Sequence, residues 1–251
     1  MLSQNKAIVG KLDEKKRVAA LPELDPPKTV RLKFCKVGNL QYISHLDLQT
    51  AFNRIINRAC LPVWYTKGFN PHIKLVFSTP LSVGTESVCE YLDIRIDREM
   101  SCEEIMSRLN TEMTDEFYIT EAYLPESDFS EIRWATYRII VHCCGASDEL
   151  AADVKKLLTT APLILTKKSK SGDKETDIIP LINSVSTCFD SAGESMEIIT
   201  TVRASSKEYL NPELIVTALK KHMGILGGDP LEEYYSITRI SVKKEDMTEF
   251  R

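Results

Sequence analysis

Several motifs that would assign this chain to a known chemistry are missing from its sequence. None of its seven cysteines forms a CxxC pair, so neither a zinc knuckle nor an iron–sulfur cluster is indicated. There is no nucleophile elbow, P-loop or zinc-protease motif. No run of 18 apolar residues occurs, and the N-terminus has no signal-peptide h-region. We therefore expect a cytoplasmic protein with reduced thiols, no membrane association, no metal and no cofactor.

Acidic residues are scarce in one part of the chain. The whole protein has a net charge of −4, yet between Lys28 and Pro80 eight Lys and Arg residues accompany a single acid, Asp47. This segment therefore carries 8 − 1 = +7, and the rest of the chain carries −4 − 7 = −11. A basic segment in an acidic protein favours an anionic partner. The alternative is that the acidic remainder folds against it.

The order of predicted elements indicates an α+β fold of two tandem ferredoxin-like (βαββαβ) modules with antiparallel sheets. We predict a mobile leader at 1–27, a first module at 28–127 that carries the functional motifs, and a second module at 128–251. The stretch LPELDPPK in the leader has three prolines in eight residues, so no regular element is expected there. In the second module, hairpins are expected to turn at 171–173 and 191–193.

A polar helix start marks the first candidate site. Ser44 is expected to cap a helix together with Asp47, which places His45 in the first turn, where backbone N–H groups attract anions. Arg54 and Arg58 follow one turn apart on this helix, about 5–6 Å between their Cβ atoms. That spacing suits successive phosphates or one carboxylate. The alternatives are a solvated pair of arginines and a histidine that serves packing.

The stretch YTKGFNPHIKLVFSTPLSVG, residues 65–84, sets turn-forming and polar residues between two predicted strands, PVWY (62–65) and IKLVFSTPL (73–81). Gly68 permits a backbone conformation that other residues avoid, and Pro71 keeps the residue before it out of the helical region. A loop of this kind brings several polar side chains together, namely Lys67, Asn70, His72 and Lys74. The functional interpretation is a ligand-binding loop on a rigid scaffold; the alternative is an ordinary loop.

These motifs together resemble a bacterial radical-SAM-linked protein family of unknown function. Its members occur alone or fused behind a cobalamin-binding-type radical SAM enzyme. The resemblance covers roughly residues 28–244, and its motifs include Ser-His-Leu-Asp (44–47), Gly-Phe-Asn-Pro-His (68–72), Glu-Tyr-Leu (90–92), Thr-Asp-Ile (176–178) and Asn-Pro-Glu-Leu (211–214). The sequence departs from the family where Ile73 replaces a usual second proline and Thr66-Lys67 replaces Ser-Gln. It also has no CxxxCxxC run, so it carries no radical SAM cluster of its own.

The resemblance implies that the polar motifs share one site and, because the family often lies near a ribonuclease and a ribosomal protein gene, it suggests RNA. We therefore expect an accessory RNA-binding protein, for tRNA or rRNA, that works with a radical SAM modification enzyme. Phosphates would meet the basic side chains, and Phe69 or Tyr65 would stack on a base. The predicted ligand-binding residues are Ser44, Asp47, Arg54, Arg58, Lys67, Phe69, Asn70 and Lys74.

Other functions stay open at this point. The first is a phosphoester-cleaving or RNA-processing enzyme that uses His45 and His72 as acid and base. The second is a protein–protein adaptor that docks through its acidic C-terminal half. A metal site built from His45, Asp47 and His72 is the least favoured, because His45 and Asp47 are two residues apart on a helix and point to different faces.

Overall fold

The chain divides into two units, each of which mixes helices and strands. A computed structural model describes residues 2–143, 145–167, 172, 174–190 and 195–251. Unit 1 comprises residues 1–83, 89–127 and 251, and unit 2 comprises residues 84–88 and 128–250. The described residues form five α-helices, and their strands pair mostly antiparallel. The predicted α+β class is confirmed at this level.

The described residues of unit 1 form three α-helices, three complete strands and the larger part of a fourth strand. Its helices are α1 (Leu2–Ala19), α2 (His45–Arg58) and α3 (Cys102–Thr111). Its strands are β1 (Glu23–Lys36), β2 (Val76–Phe77), β3 (Thr85–Arg98, of which residues 85–88 belong to unit 2) and β4 (Phe117–Tyr123). The strand order is β4-β1-β3-β2, in which β4 pairs antiparallel with β1 and β2 pairs antiparallel with β3.

Local signals in the sequence account for helix α2. The Ser44 hydroxyl accepts a hydrogen bond from the Asp47 backbone N–H at 3.2 Å, and an Asp47 carboxylate oxygen accepts one from the Ser44 N–H at 3.3 Å. This is the predicted capping box. The apolar side of the helix is buried at Leu48, Phe52, Ile55 and Ile56. Phe52 packs edge-on against Phe34 with ring centroids 5.0 Å apart, so the opposite side of α2 is the one left to solvent.

The N-terminal region is more regular than its sequence suggests. In α1, Val18 is buried and Glu14 forms an ion pair with Arg108 of α3. The hydrogen bond from Arg108 holds the pKa of Glu14 below its usual range. Strand β1 already begins at Glu23, so the expectation of no regular element in LPELDPPK is wrong. The ladder with β4 starts only at Arg31, so the prolines lie where no N–H donor is needed toward β4. The mobility of residues 1–27 stays a prediction.

The two strands predicted around the 65–84 stretch are largely irregular. Only Val76–Phe77 of the predicted strand IKLVFSTPL is a strand, and PVWY contributes isolated bridges at Val63 and Tyr65. The prolines at 62, 71 and 80 lack the N–H that a continuous ladder requires. The chain here follows a path determined by turns and side-chain contacts.

The described residues of unit 2 form two α-helices and six strands of its own. The helices are α4 (Asp148–Thr159) and α5 (Glu213–Met223). The strands are β5 (Trp134–His142), β6 (Ile164–Lys167), β7 (Lys174–Asp177), β8 (Ile182–Asp190), β9 (Ser195–Arg203) and β10 (Tyr234–Lys243). The main order is β10-β5-β9-β8, and residues 85–87 of β3 pair parallel with β10. Strands β6 and β7 form a separate two-stranded sheet.

Both hairpins predicted for the second half are present, as the antiparallel pairs β6–β7 and β8–β9. Their predicted turns at 171–173 and 191–193 lie outside the described residues, except for Gly172. Six cysteines are described as free thiols, and four of these are buried. No helix in the described part of the chain is both long and apolar enough to cross a bilayer.

Candidate RNA-binding site

Half of the charges in the basic segment are used inside unit 1. Arg31 is only 1% exposed, and its Nε and Nη2 donate to the two oxygens of Asp93 at 2.8 and 2.9 Å. Lys33 Nζ pairs with Glu121 at 2.8 Å. Lys36 is buried and donates to two backbone carbonyl oxygens at 3.3 Å.

The fourth internal charge is Arg58, one of the predicted ligand-binding residues. Its Nε donates to a Glu112 carboxylate oxygen at 2.8 Å. The acidic remainder therefore folds against three of the eight basic side chains, those of Arg31, Lys33 and Arg58.

Four other cations of this segment face solvent, and they are Lys28, Arg54, Lys67 and Lys74. Within the described ranges, no ion pair or side-chain hydrogen bond engages any of them. An exposed, unpaired ammonium or guanidinium group can accept a phosphate without first losing an internal partner.

Hydrogen bonds close the loop that runs from Thr66 to His72. The Thr66 backbone N–H donates to the His72 carbonyl oxygen at 3.0 Å, and the His72 N–H donates to the Thr66 hydroxyl at 3.1 Å. His72 Nδ1 lies 3.1 Å from the same hydroxyl and 3.2 Å from the Asn70 carbonyl oxygen. Directly below, Tyr65 and Ile73 pair as a β-bridge, and Ile73 is buried. The base of the loop is therefore fixed by side chains and backbone together.

The tip of this loop presents an unpacked aromatic ring. Gly68 has a φ of +141°, which residues with a Cβ rarely adopt, and it precedes Phe69 at the turn. The Phe69 side chain is fully exposed. Lys67 and Asn70, on either side of this pair, are exposed as well. A ring in this position contributes nothing to the core and is free to stack on a partner.

The polar residues at the start of α2 are occupied with capping. The Ser44 hydroxyl donates to Asp47 at 2.7 Å in addition to the two capping-box bonds. His45 is exposed, and its ring lies edge-on to Phe77 with centroids 4.9 Å apart. Ser44 and Asp47 thus position the helix start, while His45 packs on a strand residue that the sequence analysis did not single out.

Thr66 is a further residue that the sequence analysis undervalued. Its departure from the family's usual Ser put its role in doubt, yet both residues offer a hydroxyl, and that hydroxyl is what orients His72. The sequence could have indicated this role, because Ser and Thr carry the same hydroxyl group.

No group of three or more His, Cys, Asp or Glu side chains within the described ranges could hold a metal ion.

Comparisons with known proteins add a family but no activity. Two of the solved structures that match illustrate how weak the likeness is. DyPB from Rhodococcus jostii RHA1, crystal form 2, is 10% identical over 89% of this chain and 95% of that chain, with a TM-score of 0.20. The encapsulated DyP-type peroxidase from Mycobacterium smegmatis is 9% identical over 88% of this chain and 94% of that chain, with a TM-score of 0.19. Likeness at this level carries no argument. No curated protein matches the sequence.

A family model described as "Uncharacterized protein conserved in bacteria (DUF2344)" matches residues 29–212. The match spans 212 − 29 + 1 = 184 of 251 residues and includes α2 and the loop with Phe69 at its tip. The chain therefore belongs to this family of uncharacterized proteins conserved in bacteria.

Proposed function

We propose that the protein is an RNA-binding accessory protein, with tRNA or rRNA as its RNA class and a radical SAM modification enzyme as its partner. The observation that supports RNA binding is the loop tip, where the fully exposed Phe69 stands between the exposed Lys67 and Asn70. Unstacked RNA bases bind by stacking on such rings, while nearby cations neutralise the backbone phosphates.

The phosphate-binding part of the proposal rests on the solvent-facing cations. Besides Lys67 at the tip, Arg54 on α2 and Lys74 beyond the loop are exposed cations. Arg58 is left out of this group, because its guanidinium is engaged by Glu112. Electrostatic binding of this kind weakens steeply as salt is added, since each phosphate contact releases condensed counterions.

The partner enzyme is supported by the sequence resemblance, and the cytoplasmic location is supported by the free thiols. We also propose, from the order of the strands, that each unit is a ferredoxin-like module. When the strands of each main sheet are numbered within their unit, and the separate pair β6–β7 is left out, both β4-β1-β3-β2 and β10-β5-β9-β8 read 4-1-3-2, the order of that fold. Ferredoxin-like modules serve many functions, so the fold adds no weight to RNA binding.

The experiment is crosslinking of the protein to cellular RNA, followed by sequencing of the recovered RNA. The wild type is compared with Lys67→Ala/Phe69→Ala and with the matched control Lys155→Ala/Leu231→Ala, which removes an exposed cation and an exposed apolar side chain from unit 2. We expect one RNA class to be enriched by the wild type and the control and lost in the loop variant. No enrichment over background overturns the proposal and favours a protein–protein adaptor.

A second candidate function is phosphoester cleavage with His72 as general base and His45 as its acid partner. The observation in its favour is the contact of His72 Nδ1 with the Asn70 carbonyl oxygen. An Nδ1–H that donates there leaves Nε2 unprotonated and able to take a proton. The test is incubation of labelled RNA with the wild type and His72→Gln. Intact RNA with both proteins excludes this candidate.

A further inference from the structure

Unit 1 contains a cavity that no part of the proposed function uses. It has a volume of about 330 Å³ and lies beside Tyr65, at the base of the loop that ends in Phe69. The end of α1, the chain that follows α2 and the end of β3 surround it. Its volume is within the range of small-molecule sites in proteins, about 300–1,000 Å³.

One side of the cavity is apolar. Val18, Leu61 and Val63 line it, and each is less than 10% exposed. The chain reaches this wall through Cys60, whose φ of +52° is a left-handed conformation that residues with a Cβ avoid. This conformation ends α2 and turns the following residues into the wall. The result is an apolar surface against which a planar ring can pack.

Other residues that line the cavity are polar. Asp97 is half-buried, and within the described part of the chain no other residue donates a hydrogen bond to its carboxylate. The neighbouring Arg98 acts on this carboxylate by its charge, while its guanidinium forms an ion pair with Glu23. Burial raises the pKa of Asp97 above its usual range. Tyr65 donates from its hydroxyl to Asn57 at 3.2 Å, which fixes its ring at the rim. Lys15 is exposed at the same rim.

These groups define the chemistry of a ligand. A carboxylate is an acceptor with two oxygens, so it is best matched by two adjacent N–H donors. Among the four RNA bases, guanine alone presents two such donors on neighbouring atoms of its Watson–Crick edge, N1–H and the N2 amino group. Its flat faces suit the apolar wall and Tyr65, and an attached phosphate suits Lys15.

We propose that this cavity takes a single guanine base, with the Asp97 carboxylate accepting its N1–H and N2–H groups. The base comes from RNA bound at the loop tip, and in that respect the inference rests on the proposed function. A free guanosine nucleotide has the same base and phosphate, so the experiment has to separate the two sources.

The experiment is a titration of the full chain with GMP, IMP and AMP. Binding is monitored through the NMR signals of the backbone amides. IMP is the matched control because inosine lacks only the N2 amino group. We expect GMP to bind saturably and to shift signals around the cavity, and IMP to bind about tenfold more weakly, since one charge-assisted hydrogen bond is lost. AMP, without either donor, should bind no better than IMP.

Two variants test the geometry. Asp97→Asn should weaken GMP binding by about tenfold and remove the preference over IMP. Ala19→Phe places a large ring at the exposed rim of the cavity, where it should block GMP without disturbing the core. Asp153→Asn, at an exposed position in unit 2, is the control and should bind GMP like the wild type.

The outcomes distinguish this inference from the proposed function. If GMP binds with this preference but no RNA is crosslinked, the source is a free nucleotide and the proposed function fails alone. If RNA binding depends on the loop tip while GMP and IMP bind equally or not at all, the guanine pocket is overturned and the proposed function stands. If neither ligand binds, both proposals fail.

Discussion

Arg58 donates from Nε to Glu112 Oε2 at 2.8 Å and from Nη2 to the Glu112 backbone carbonyl oxygen at 3.0 Å. Lys11 of α1 reaches the other carboxylate oxygen at 2.9 Å. Burial alone would raise the pKa of Glu112, but the hydrogen bonds from Lys11 and Arg58 hold it below its usual range. Arg54, one turn earlier on the same helix, is exposed and without such a partner in the described residues. Two arginines that look alike in the sequence thus have different roles.

Arg54→Ala and Arg58→Ala are therefore expected to separate binding from stability. Arg54→Ala should weaken binding of single-stranded RNA and reduce the salt slope of log K by about 0.7, the value for one lost phosphate contact, with unchanged stability. Arg58→Ala should keep the slope and lower the free energy of unfolding by at most about 1 kcal/mol, because its ion pair is partly exposed. Fluorescence anisotropy of labelled RNA, at salt concentrations from about 50 to about 200 mM, measures the slope. Urea unfolding measures the free energy of unfolding. Equal losses of slope would contradict this assignment.

Phe69→Ala is expected to affect RNA binding alone. The ring is fully exposed, so its removal should leave the unfolding midpoint unchanged. Loss of one stacked base should weaken RNA binding by about 5- to 150-fold. Leu231→Ala, at a highly exposed apolar position in unit 2, is the control and should change neither quantity. Unchanged RNA affinity of Phe69→Ala would show that the loop tip is not where bases stack.

Asp93→Ala is expected to be among the most destabilising changes in unit 1. It leaves the guanidinium of Arg31, which is 1% exposed, without the carboxylate that binds it in a bidentate manner. Removing one partner of a buried ion pair costs about 3–5 kcal/mol. Glu121→Ala, which breaks the more exposed pair with Lys33, should cost about 1 kcal/mol or less. Urea unfolding compares the two variants, and similar small losses would mean that Arg31 finds another partner.

Asp97→Asn is expected to raise stability at neutral pH. Burial raises the folded-state pKa of Asp97, so the protonated carboxyl favours the folded state and this contribution is lost as pH rises through the folded pKa. Above that pH the wild type carries the cost of burying a charge, which the amide of asparagine does not carry.

The difference in Tm between Asp97→Asn and the wild type should therefore be positive at pH 7, shrink as the pH falls from the folded-state pKa toward the usual pKa of aspartate, about 3.9, and be small below it. Thermal unfolding of both proteins across this range, with Asp153→Asn as the exposed control, measures it. A difference that grows on acidification would mean that the Asp97 carboxylate stabilises the fold instead.

How much of the site could be predicted depends on the range of the interactions. The capping box of Ser44 and Asp47 was predicted from residues three positions apart, and it is present. The strands around the loop were predicted too long, because an apolar stretch such as IKLVF favours a strand whether or not a neighbour is available to pair with it. Pairing is a property of the whole sheet, which a short window of sequence does not contain.

The sequence by itself determined where the positive charge is concentrated and which helix and loop carry it. Only the tertiary structure decided which of these charges remain available. Arg31 meets Asp93 across 62 residues of chain, and Arg58 meets Glu112 across 54. Contacts of that separation depend on how strands and helices pack, and they leave no periodicity in the sequence. The physical reason is that a charge pattern records composition along the chain, whereas the partner of each charge is selected by distance in the folded state.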